Sequence, residues 1–364
     1  MKFFRKKSAP TVSNQFRSLW KLTGQTLNLG IVRIMLVVLL ILTIIPTLFL
    51  IFFFPKVQSD IKYGTTFSNK YASELGLDWR DAYIKTLDDL GAKNLRLAAY
   101  WDEVEPQRDR YDYSDIKWQV EEAKKRNAKV ILAFGRKAPR YPECFEPVWW
   151  KEIPDRETRQ LELYEYIEET VNQLKGYDNI EIWQVENEPY FPFGDCQKDI
   201  QKGEVEHEVQ IVRNLDPRPI LIQDSGEGGY WFPSFQTGDY LSISMYRRIW
   251  YDFWGVFGGK FIYFQYPLPF WSYKIKAAVL GIPYEKVFVT ELQAEPWGPE
   301  INSKLPLSEK NKTMSRTDFY ATLSYAQNAG FKRLYLWGAE WWLWEKEKNN
   351  NPYFWDTAKA LFSD

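Results

Sequence analysis

Histidine and cysteine are scarce in this chain of 364 residues, which contains one histidine, His207, and two cysteines, Cys144 and Cys196. A Ser-His-Asp triad or a histidine-based metal site would have to use His207, and neither a G-x-S-x-G nor an H-E-x-x-H motif surrounds it. The charged stretch GEVEHEVQ around it predicts a solvated helix face instead. Two cysteines exclude a disulfide-rich scaffold and give no zinc-site spacing. The two thiols form one bridge or remain free.

Acidic residues are missing from the first 59 positions, which hold eight Lys and Arg and no Asp or Glu. From Asp60 onward the sequence has 39 basic and 48 acidic residues, a net charge of −9. Because a negative domain repels phosphate backbones, nucleic acid is not an expected partner. Neutral ligands remain compatible with this charge, and nothing in the sequence indicates an oligomeric state.

Charge is also absent from Ile34 to Phe54, a run of 21 residues that is long enough to cross a bilayer as a helix. We therefore predict a basic cytoplasmic segment over residues 1–30 and a transmembrane anchor over residues 31–55. The basic residues before the run predict a cytoplasmic N-terminus and an extracytoplasmic C-terminal domain. A cleaved signal peptide is the competing interpretation, but the run exceeds 7–15 apolar residues and no A-x-A site follows it.

Beyond Asp60, short apolar runs alternate with longer amphipathic ones, as in parallel strands joined by helices. Eight such units are present, which is the number that closes a (β/α)8 TIM barrel, so we predict one catalytic domain over residues 60–364. The fifth unit is the weakest, because GEGGYWFPSFQTG has little helical periodicity. A doubly wound open sheet would need a Gly-rich loop after its first strand, and GTTFSNKY is not one. The units begin at Tyr63, Asn94, Lys129, Ile180, Pro219, Tyr240, Val287 and Arg333.

Aromatic residues make up 18% of the chain and include 17 tryptophans. Flat aromatic rings suit the apolar faces of sugars, so this composition points to a carbohydrate ligand, although many of the rings can equally fill the core. Trp101 follows the second predicted strand, and Trp337 begins the run WGAEWWLW at the eighth. We expect at least one tryptophan of that run to face the cleft, and we expect Trp101 to bind substrate in the same way.

Two glutamates end predicted strands on opposite sides of the barrel: the fourth strand ends in Asn187-Glu188-Pro189, and the seventh ends in Thr290-Glu291-Leu292. The carboxyl ends of the strands carry the active site in such barrels, so the two side chains are expected to converge. A pair of carboxyl groups about 5–5.5 Å apart can hydrolyse a glycosidic bond with retention, one as nucleophile and the other as acid and base. Arg96 and Tyr246 are suitable donors to Glu291, and Asn187 is placed to bond a sugar hydroxyl. Glu186 is expected to be a buried structural hydrogen-bonder.

The run WQVENEP from Trp183 to Pro189, the TEL at Thr290 to Leu292 and the register of the eight units resemble clan A glycoside hydrolases, with family 5 of cellulases and mannanases most similar. The resemblance implies that Glu188 is the acid/base, that Glu291 is the nucleophile and that Arg96 and Tyr246 support it. It also implies that Trp337 is a floor under the sugar at the cleavage point. Family 5 members usually carry histidines on strands three and six, which here end in FGR and SMY. Related clan A families, such as those of β-xylosidases and β-galactosidases, therefore stay open.

Three functions are compatible with this pattern. The leading one is hydrolysis of a β-linked polysaccharide or oligosaccharide by double displacement, without a metal or cofactor. The second is a catalytically silent barrel that binds cell-surface glycan through its aromatic rim. The third is a barrel enzyme with metal-dependent chemistry, which a chelator would inhibit.

Overall fold

The computed structural model describes residues 12–195, 200, 203–251 and 262–363. The beginning of the predicted cytoplasmic segment, residues 1–11, and Cys196 lie outside these described residues. The chain forms two compact units, one ending at Phe54 and the other beginning at Pro55.

The first unit is a helix, α1, which spans Val12–Phe53 and contains Pro46. Within the described residues it holds the one stretch that is long and apolar enough to cross a membrane, the 20 residues Gly30–Phe49 with a mean hydropathy of 2.7. Its described side chains from Ile31 to Leu48 are exposed. A membrane anchor and a signal sequence both have this length and composition.

The second unit is a closed barrel of eight parallel strands, which confirms the predicted TIM barrel. The strand order around the barrel is β1-β10-β9-β6-β5-β4-β3-β2, so β9 and β10 are the seventh and eighth barrel strands. The barrel strands are β1 Lys62–Thr66, β2 Asn94–Ala98, β3 Lys129–Phe134, β4 Ile180–Val185, β5 Ile220–Ser225, β6 Tyr240–Met245, β9 Val287–Gln293 and β10 Arg333–Trp337.

Helices follow the strands, as the alternating pattern predicted. Their ends carry ordinary signals: Ser315 caps α12 with a reciprocal bond to Asp318, and Gly330 ends it with a left-handed φ of 83°. His207 is exposed on α8, as expected. The helices after α1 are α2 Asn69–Glu74, α3 Trp79–Asp88, α4 Trp101–Val104, α5 Ser114–Lys125, α6 Val148–Lys151, α7 Arg156–Leu174, α8 Glu204–Leu215, α9 Phe232–Thr237, α10 Ser272–Val279, α11 Leu307–Thr313, α12 Arg316–Ala329, α13 Ala339–Lys348 and α14 Tyr353–Phe362, with a 3-10 turn at Tyr284–Lys286.

Two features depart from the predicted repeat. An antiparallel hairpin, β7 Arg248–Tyr251 and β8 Ile262–Gln265, is inserted between β6 and α10. The tryptophan run after β10 forms the helix α13, because the chain leaves the strand at Gly338. The weak fifth unit does contain a helix, although α9 has only six residues.

The barrel interior is built in two layers. The layer near the amino ends of the strands is apolar and consists of Ile131, Ile182, Leu221, Phe288 and Tyr335. Two residues further along their strands, Gln184, Gln223 and Thr290 form a buried polar layer with Arg96. Since side chains two apart on a strand share a face, this second layer lies directly under the carboxyl ends of the strands.

Candidate active site

Arg96 is the centre of the polar layer and is completely buried. Its Nη1 atom donates to Oε1 of Glu291 at 2.7 Å, and its Nε atom donates to Oε1 of Gln184 at 2.8 Å. Its Nη2 atom donates to Oδ1 of Asn187 at 2.6 Å and also to Gln223. The planar guanidinium group thus connects strands β2, β4, β5 and β9 through charge-assisted hydrogen bonds.

Glu291 is held by donors from three directions. Besides Arg96, Nε2 of Gln223 donates to its Oε1 atom at 2.7 Å, and the hydroxyl group of Tyr246 donates to its Oε2 atom at 3.3 Å. The two donors predicted from the sequence, Arg96 and Tyr246, therefore do contact this carboxyl group.

A β-bulge in β9 explains why Glu291 reaches the interior. Ile243 of β6 pairs with Val289, but the next residue, Ser244, pairs with Glu291, so Thr290 is an extra residue in the ladder. Consecutive side chains of a regular strand point to opposite faces, whereas a bulge allows a side chain to be re-aimed. Both neighbours consequently reach the same polar layer, where Thr290 Oγ1 donates to Gln223 at 3.1 Å.

Glu188 lies in the segment that follows β4, with a left-handed φ of 45°. Its Oε1 atom accepts a hydrogen bond of 2.6 Å from Ser244, the residue that pairs with Glu291. The two glutamates are thus brought to the same part of the barrel mouth, and each is only 4% exposed. Burial, and then the negative charges of Glu143 and Glu291, raise the pKa of Glu188 well above its ordinary value.

Asn187 is buried beside these carboxyl groups. Its Oδ1 atom is bound by Arg96, while its Nδ2 atom has no hydrogen-bond partner among the described residues. The amide group nevertheless lies near enough to Glu143 to favour the ionised form of that carboxyl group, which lowers the pKa of Glu143. A buried amide with an unused donor is suited to bind a ligand oxygen.

The loop after β3, Arg136 to Phe145, supplies charged side chains that the sequence reasoning missed. Lys137 is completely buried, its Nζ atom donates to the main-chain oxygen of Glu188 at 2.9 Å, and it lies 3.3 Å from Oε2 of Glu143. Burial raises the pKa of Glu143 to about 7, while the charge of Lys137 lowers it and that of Glu291 raises it. The signal that could have revealed these residues is the charge density of RKAPRYPECFE directly after a barrel strand.

Glu186 anchors this loop, which confirms its expected structural role. Its two carboxyl oxygens accept the main-chain N–H groups of Arg136 and Lys137, each at 2.6 Å. A side chain at Gly135 would collide with Glu186, because a Cβ there would lie 2.6 Å from Oε1. Burial raises the pKa of Glu186 to about 7, against the lowering effect of the two N–H groups.

The tryptophans predicted to bind substrate have different environments. Trp337 lies at the end of β10, is 6% exposed, and has the guanidinium group of Arg140 4.1 Å from its ring centre. Trp101 is completely buried, stacks on Tyr166 at 5.0 Å, and donates to Glu105 at 2.7 Å. The structure does not bring Trp101 to the site, because its ring is buried against Tyr166 of α7.

The remaining tryptophans of WGAEWWLW belong to the helix α13. Trp341 and Trp342 are buried in α13, where Trp342 donates to the main-chain oxygen of Ala294 at 2.7 Å. Trp344 is partly exposed with the ammonium group of Lys310 4.5 Å from its ring centre. Only Trp337 of this run is therefore a candidate for contact with a ligand.

The acidic residues that could hold a cation, and the disulfide-bonded cysteine, do not include the two glutamates. Within the described residues, the one acidic group that could hold a cation is Asp109, Glu162 and Glu165, which includes none of the predicted site residues. Cys144, at the end of the loop after β3, is disulfide-bonded.

A closed parallel barrel with two buried carboxyl groups at the carboxyl ends of its strands is the arrangement of TIM-barrel glycoside hydrolases. The family profile described as Cellulase (glycosyl hydrolase family 5) matches residues 62–363. The chain therefore belongs to glycosyl hydrolase family 5 and is a glycoside hydrolase.

Solved structures show the same fold at low sequence identity. The exo-beta-1,4-mannosidase Op5Man5 from Opitutaceae bacterium strain TAV5 is 15% identical with a TM-score of 0.55, over 85% of this chain and 62% of that one. The protein GH5_18 from Bifidobacterium longum subsp. longum ATCC 55813 is also 15% identical, with a TM-score of 0.52 over 77% and 70% of the two chains. Gan42B, a GH42 beta-galactosidase from G. stearothermophilus, is 10% identical with a TM-score of 0.53, over 77% and 51%. No curated protein matches this chain in sequence.

Proposed function

We propose that this protein hydrolyses β-glycosidic bonds of an oligosaccharide or polysaccharide with retention of configuration. The observation that carries the proposal is the contrast between two converging carboxyl groups. Glu291 accepts hydrogen bonds from Arg96, Gln223 and Tyr246, which stabilise a negative charge. Glu188 has a raised pKa, so it keeps its proton at a pH at which an ordinary glutamate has lost it.

In this mechanism Glu291 attacks the anomeric carbon while Glu188 gives its proton to the departing glycosidic oxygen. The aglycone leaves as an alcohol, and the glycone stays on Glu291 as an ester. Glu188 then removes a proton from water, whose oxygen displaces Glu291 from the anomeric carbon. Both carboxyl groups are restored, and no cofactor takes part.

The neighbouring polar groups have roles in binding. Asn187 has a free buried donor beside both glutamates and is suited to the 2-hydroxyl group, where hydrogen bonds strengthen in the transition state. Trp337 is suited to be a floor for the sugar, and the guanidinium group of Arg140 packs on its ring. Op5Man5 and Gan42B are by name a mannosidase and a galactosidase, so β-mannosides and β-galactosides are the first substrates to examine, followed by β-xylosides and β-glucosides.

The test uses the full-length protein in detergent with aryl β-glycosides of these four sugars. We expect hydrolysis of at least one of them, with the β-anomer as the first product by NMR. Replacement of Glu291 with Gln should abolish hydrolysis. The control is Glu181→Gln, at the amino end of β4, which should leave hydrolysis intact. A protein that binds these sugars without cleaving them would instead be the silent glycan-binding barrel, and inhibition by a chelator would indicate metal-dependent chemistry.

Azide separates the roles of the two glutamates. With an activated aryl glycoside, Glu188→Ala should be rescued by azide and yield the β-glycosyl azide, because the covalent intermediate still forms. Glu291→Gly should be rescued to the α-glycosyl azide, because azide then takes the place of the missing nucleophile. Exchanged products would reverse the two assignments.

We further propose that residues 31–55 remain as a membrane anchor with the N-terminus in the cytoplasm and the barrel outside. The basic residues before the apolar run support this orientation. The disulfide at Cys144 fits an oxidising compartment. The protein should sediment with membranes after an alkaline carbonate wash, whereas release of a shortened chain would identify a signal peptide.

A further inference from the structure

Arg140 crosses the barrel mouth from the loop after β3 to the opposite strands. Its guanidinium carbon lies 3.8 Å from the ring centre of Tyr71, in α2 after β1, and 4.1 Å from that of Trp337, at the end of β10. It forms ion pairs with Glu340, after β10, at 2.9 Å and with Glu295, after β9. One side chain therefore closes the space between the loops that follow β1, β9 and β10.

This closure is a fixed part of the fold. Arg140 is 7% exposed, and its φ of 96° places it in the left-handed region, which a side chain adopts only when its surroundings determine it. The preceding residue, Pro139, accepts a hydrogen bond of 3.0 Å from the hydroxyl group of Tyr100. The loop also closes on itself, because Glu143 N donates to the oxygen of Arg140 at 2.7 Å and Ala138 N to that of Glu143 at 2.8 Å.

The direction of the substrate follows from the positions of the two glutamates. The acid must lie beside the leaving group, and the carboxyl group of Glu188 is bound on the β6 side by Ser244. The aglycone therefore extends toward β5 and β6. The sugar attached to Glu291 lies toward Trp337, so any further unit at its non-reducing end would have to pass between β10 and β1, where Arg140 lies.

The two sides of the mouth differ in their side chains. On the aglycone side, Trp297 contacts Tyr246 at 4.8 Å and Phe193 at 5.6 Å, and both Trp297 and Phe193 are partly exposed. Partly exposed rings can accept a sugar without breaking an ion pair. On the Arg140 side, lengthening the pocket would separate three buried charges, which is strongly unfavourable.

We propose that Arg140 makes this protein exo-acting, so that it removes single sugars from the non-reducing end of a β-linked chain. The Nε atom of Arg140 is buried and has no hydrogen-bond partner among the described residues, which suits it to bind a hydroxyl group of the terminal sugar. The position of Arg140 thus sets both the length of the glycone pocket and the recognition of a chain end. This inference rests on the proposed glycosidase function and on the assignment of Glu188 as the acid.

The first experiment follows products of the full-length protein in detergent. The probes are β-1,4-linked pentasaccharides of mannose, galactose, xylose and glucose, each labelled at the reducing end. We expect the labelled tetramer as the first labelled product, together with free monosaccharide, and shorter labelled products only in succession. Labelled dimer or trimer at the earliest times would overturn the proposal.

The second experiment uses the same pentasaccharides with the 4-hydroxyl group of the non-reducing terminal sugar methylated. The wild-type protein should cleave them at least ten-fold more slowly than the unmodified chains, because the terminal hydroxyl faces the Arg140 side. Equal rates on both would contradict the proposed chain-end recognition.

Variants then assign this behaviour to the side chain. Arg140→Ala should allow cleavage of the methylated chains and release internal fragments. The matched control is Arg218→Ala, which removes a guanidinium group that also lies over a tryptophan, Trp183 at 4.5 Å, and pairs with Asp216, before β5 at the other end of the barrel. If Arg140→Ala does not fold, the wild-type product pattern still decides the mode of action. If the wild-type protein cleaves no aryl glycoside and no oligosaccharide, the proposed function is rejected. Internal cleavage of the oligosaccharides rejects only the exo inference.

Discussion

Ser244 donates a hydrogen bond of 2.6 Å to the carboxyl group of Glu188, from strand β6 to the segment that follows β4. The same serine is the ladder partner of Glu291 in β9. Ser244 thus contacts Glu188 through its side chain and pairs with Glu291 through its strand, although the two glutamates are 103 positions apart in the sequence. The pKa of Glu188 is raised by burial and by the neighbouring negative charges, and this bond lowers it.

The pH profile should shift in opposite directions in two variants. A hydrogen bond to the ionised carboxyl group lowers its pKa, so Ser244→Ala should raise the pKa of Glu188 and move the basic limb of kcat/KM to higher pH. The negative charge of Glu143 raises that pKa, so Glu143→Gln should move the limb to lower pH. Each shift should be about one pH unit. Rates on an aryl glycoside between pH 5 and 10 measure it, and shifts of the same sign would refute this electrostatic account.

Arg96 should be essential for both stability and activity. Replacement with Met leaves Glu291 buried without its charge partner, which should cost roughly 3–5 kcal/mol of unfolding free energy. Activity should fall by about 10²-fold or more, because the polar layer loses its centre. Arg80→Met is the control, since Arg80 and Asp115 pair at the surface and should contribute less than about 1 kcal/mol. Urea unfolding and kcat/KM measure both effects, and a stable, active Arg96→Met variant would contradict them.

The barrel should be more stable near pH 5 than near pH 8. Burial raises the pKa values of Glu143, Glu186, Glu227 and Glu295 to about 7, whereas an unfolded glutamate has a pKa of about 4.3. The folded state therefore binds more protons between these values, and its stability falls as the pH rises from about 4.3 to 7. Thermal unfolding at constant ionic strength should show a lower Tm at pH 8 than at pH 5, and the opposite slope would contradict the burial of these groups.

Reduction should destabilise the loop that carries Lys137, Arg140 and Glu143. Cys144 is disulfide-bonded near the end of this loop, and removal of a native disulfide typically costs roughly 2–4 kcal/mol. Dithiothreitol should lower the Tm and reduce kcat/KM together. Cys144→Ser should reproduce both effects and be insensitive to the reductant, so a variant that still responds to it would contradict this explanation.

The periodic parts of the fold were predictable because they depend on local patterns. Alternation of apolar strands and amphipathic helices predicted all eight barrel units, including the strands that begin at Asn94, Lys129 and Arg333. Arg96 and Tyr246 could be chosen as donors to Glu291 because both lie near the carboxyl ends of barrel strands, which open on the same mouth. The hairpin β7–β8 was not predicted, because it is an insertion outside the alternation of strands and helices.

The loop after β3 could not be predicted in this way. Its charges are visible in RKAPRYPECFE, but whether they are solvated or buried depends on partners far along the chain. Arg140 binds Glu340 across 200 residues, and Lys137 reaches the main chain of Glu188 across 51. The tryptophans after β10 show the same dependence, because α13 turns Trp341 and Trp342 into the core and leaves Trp337 beside Arg140.

The sequence by itself determined the barrel, the apolar N-terminal helix and the two glutamates at strand ends, because hydrophobic period and strand position are properties of neighbouring residues. Only the tertiary structure decided how these glutamates differ. The bulge at Thr290 turns Glu291 inward toward Arg96, and the loop after β3 buries Glu143 near Glu188. Burial and the charges of distant residues set the protonation of a carboxyl group, and neither exists until the chain has folded.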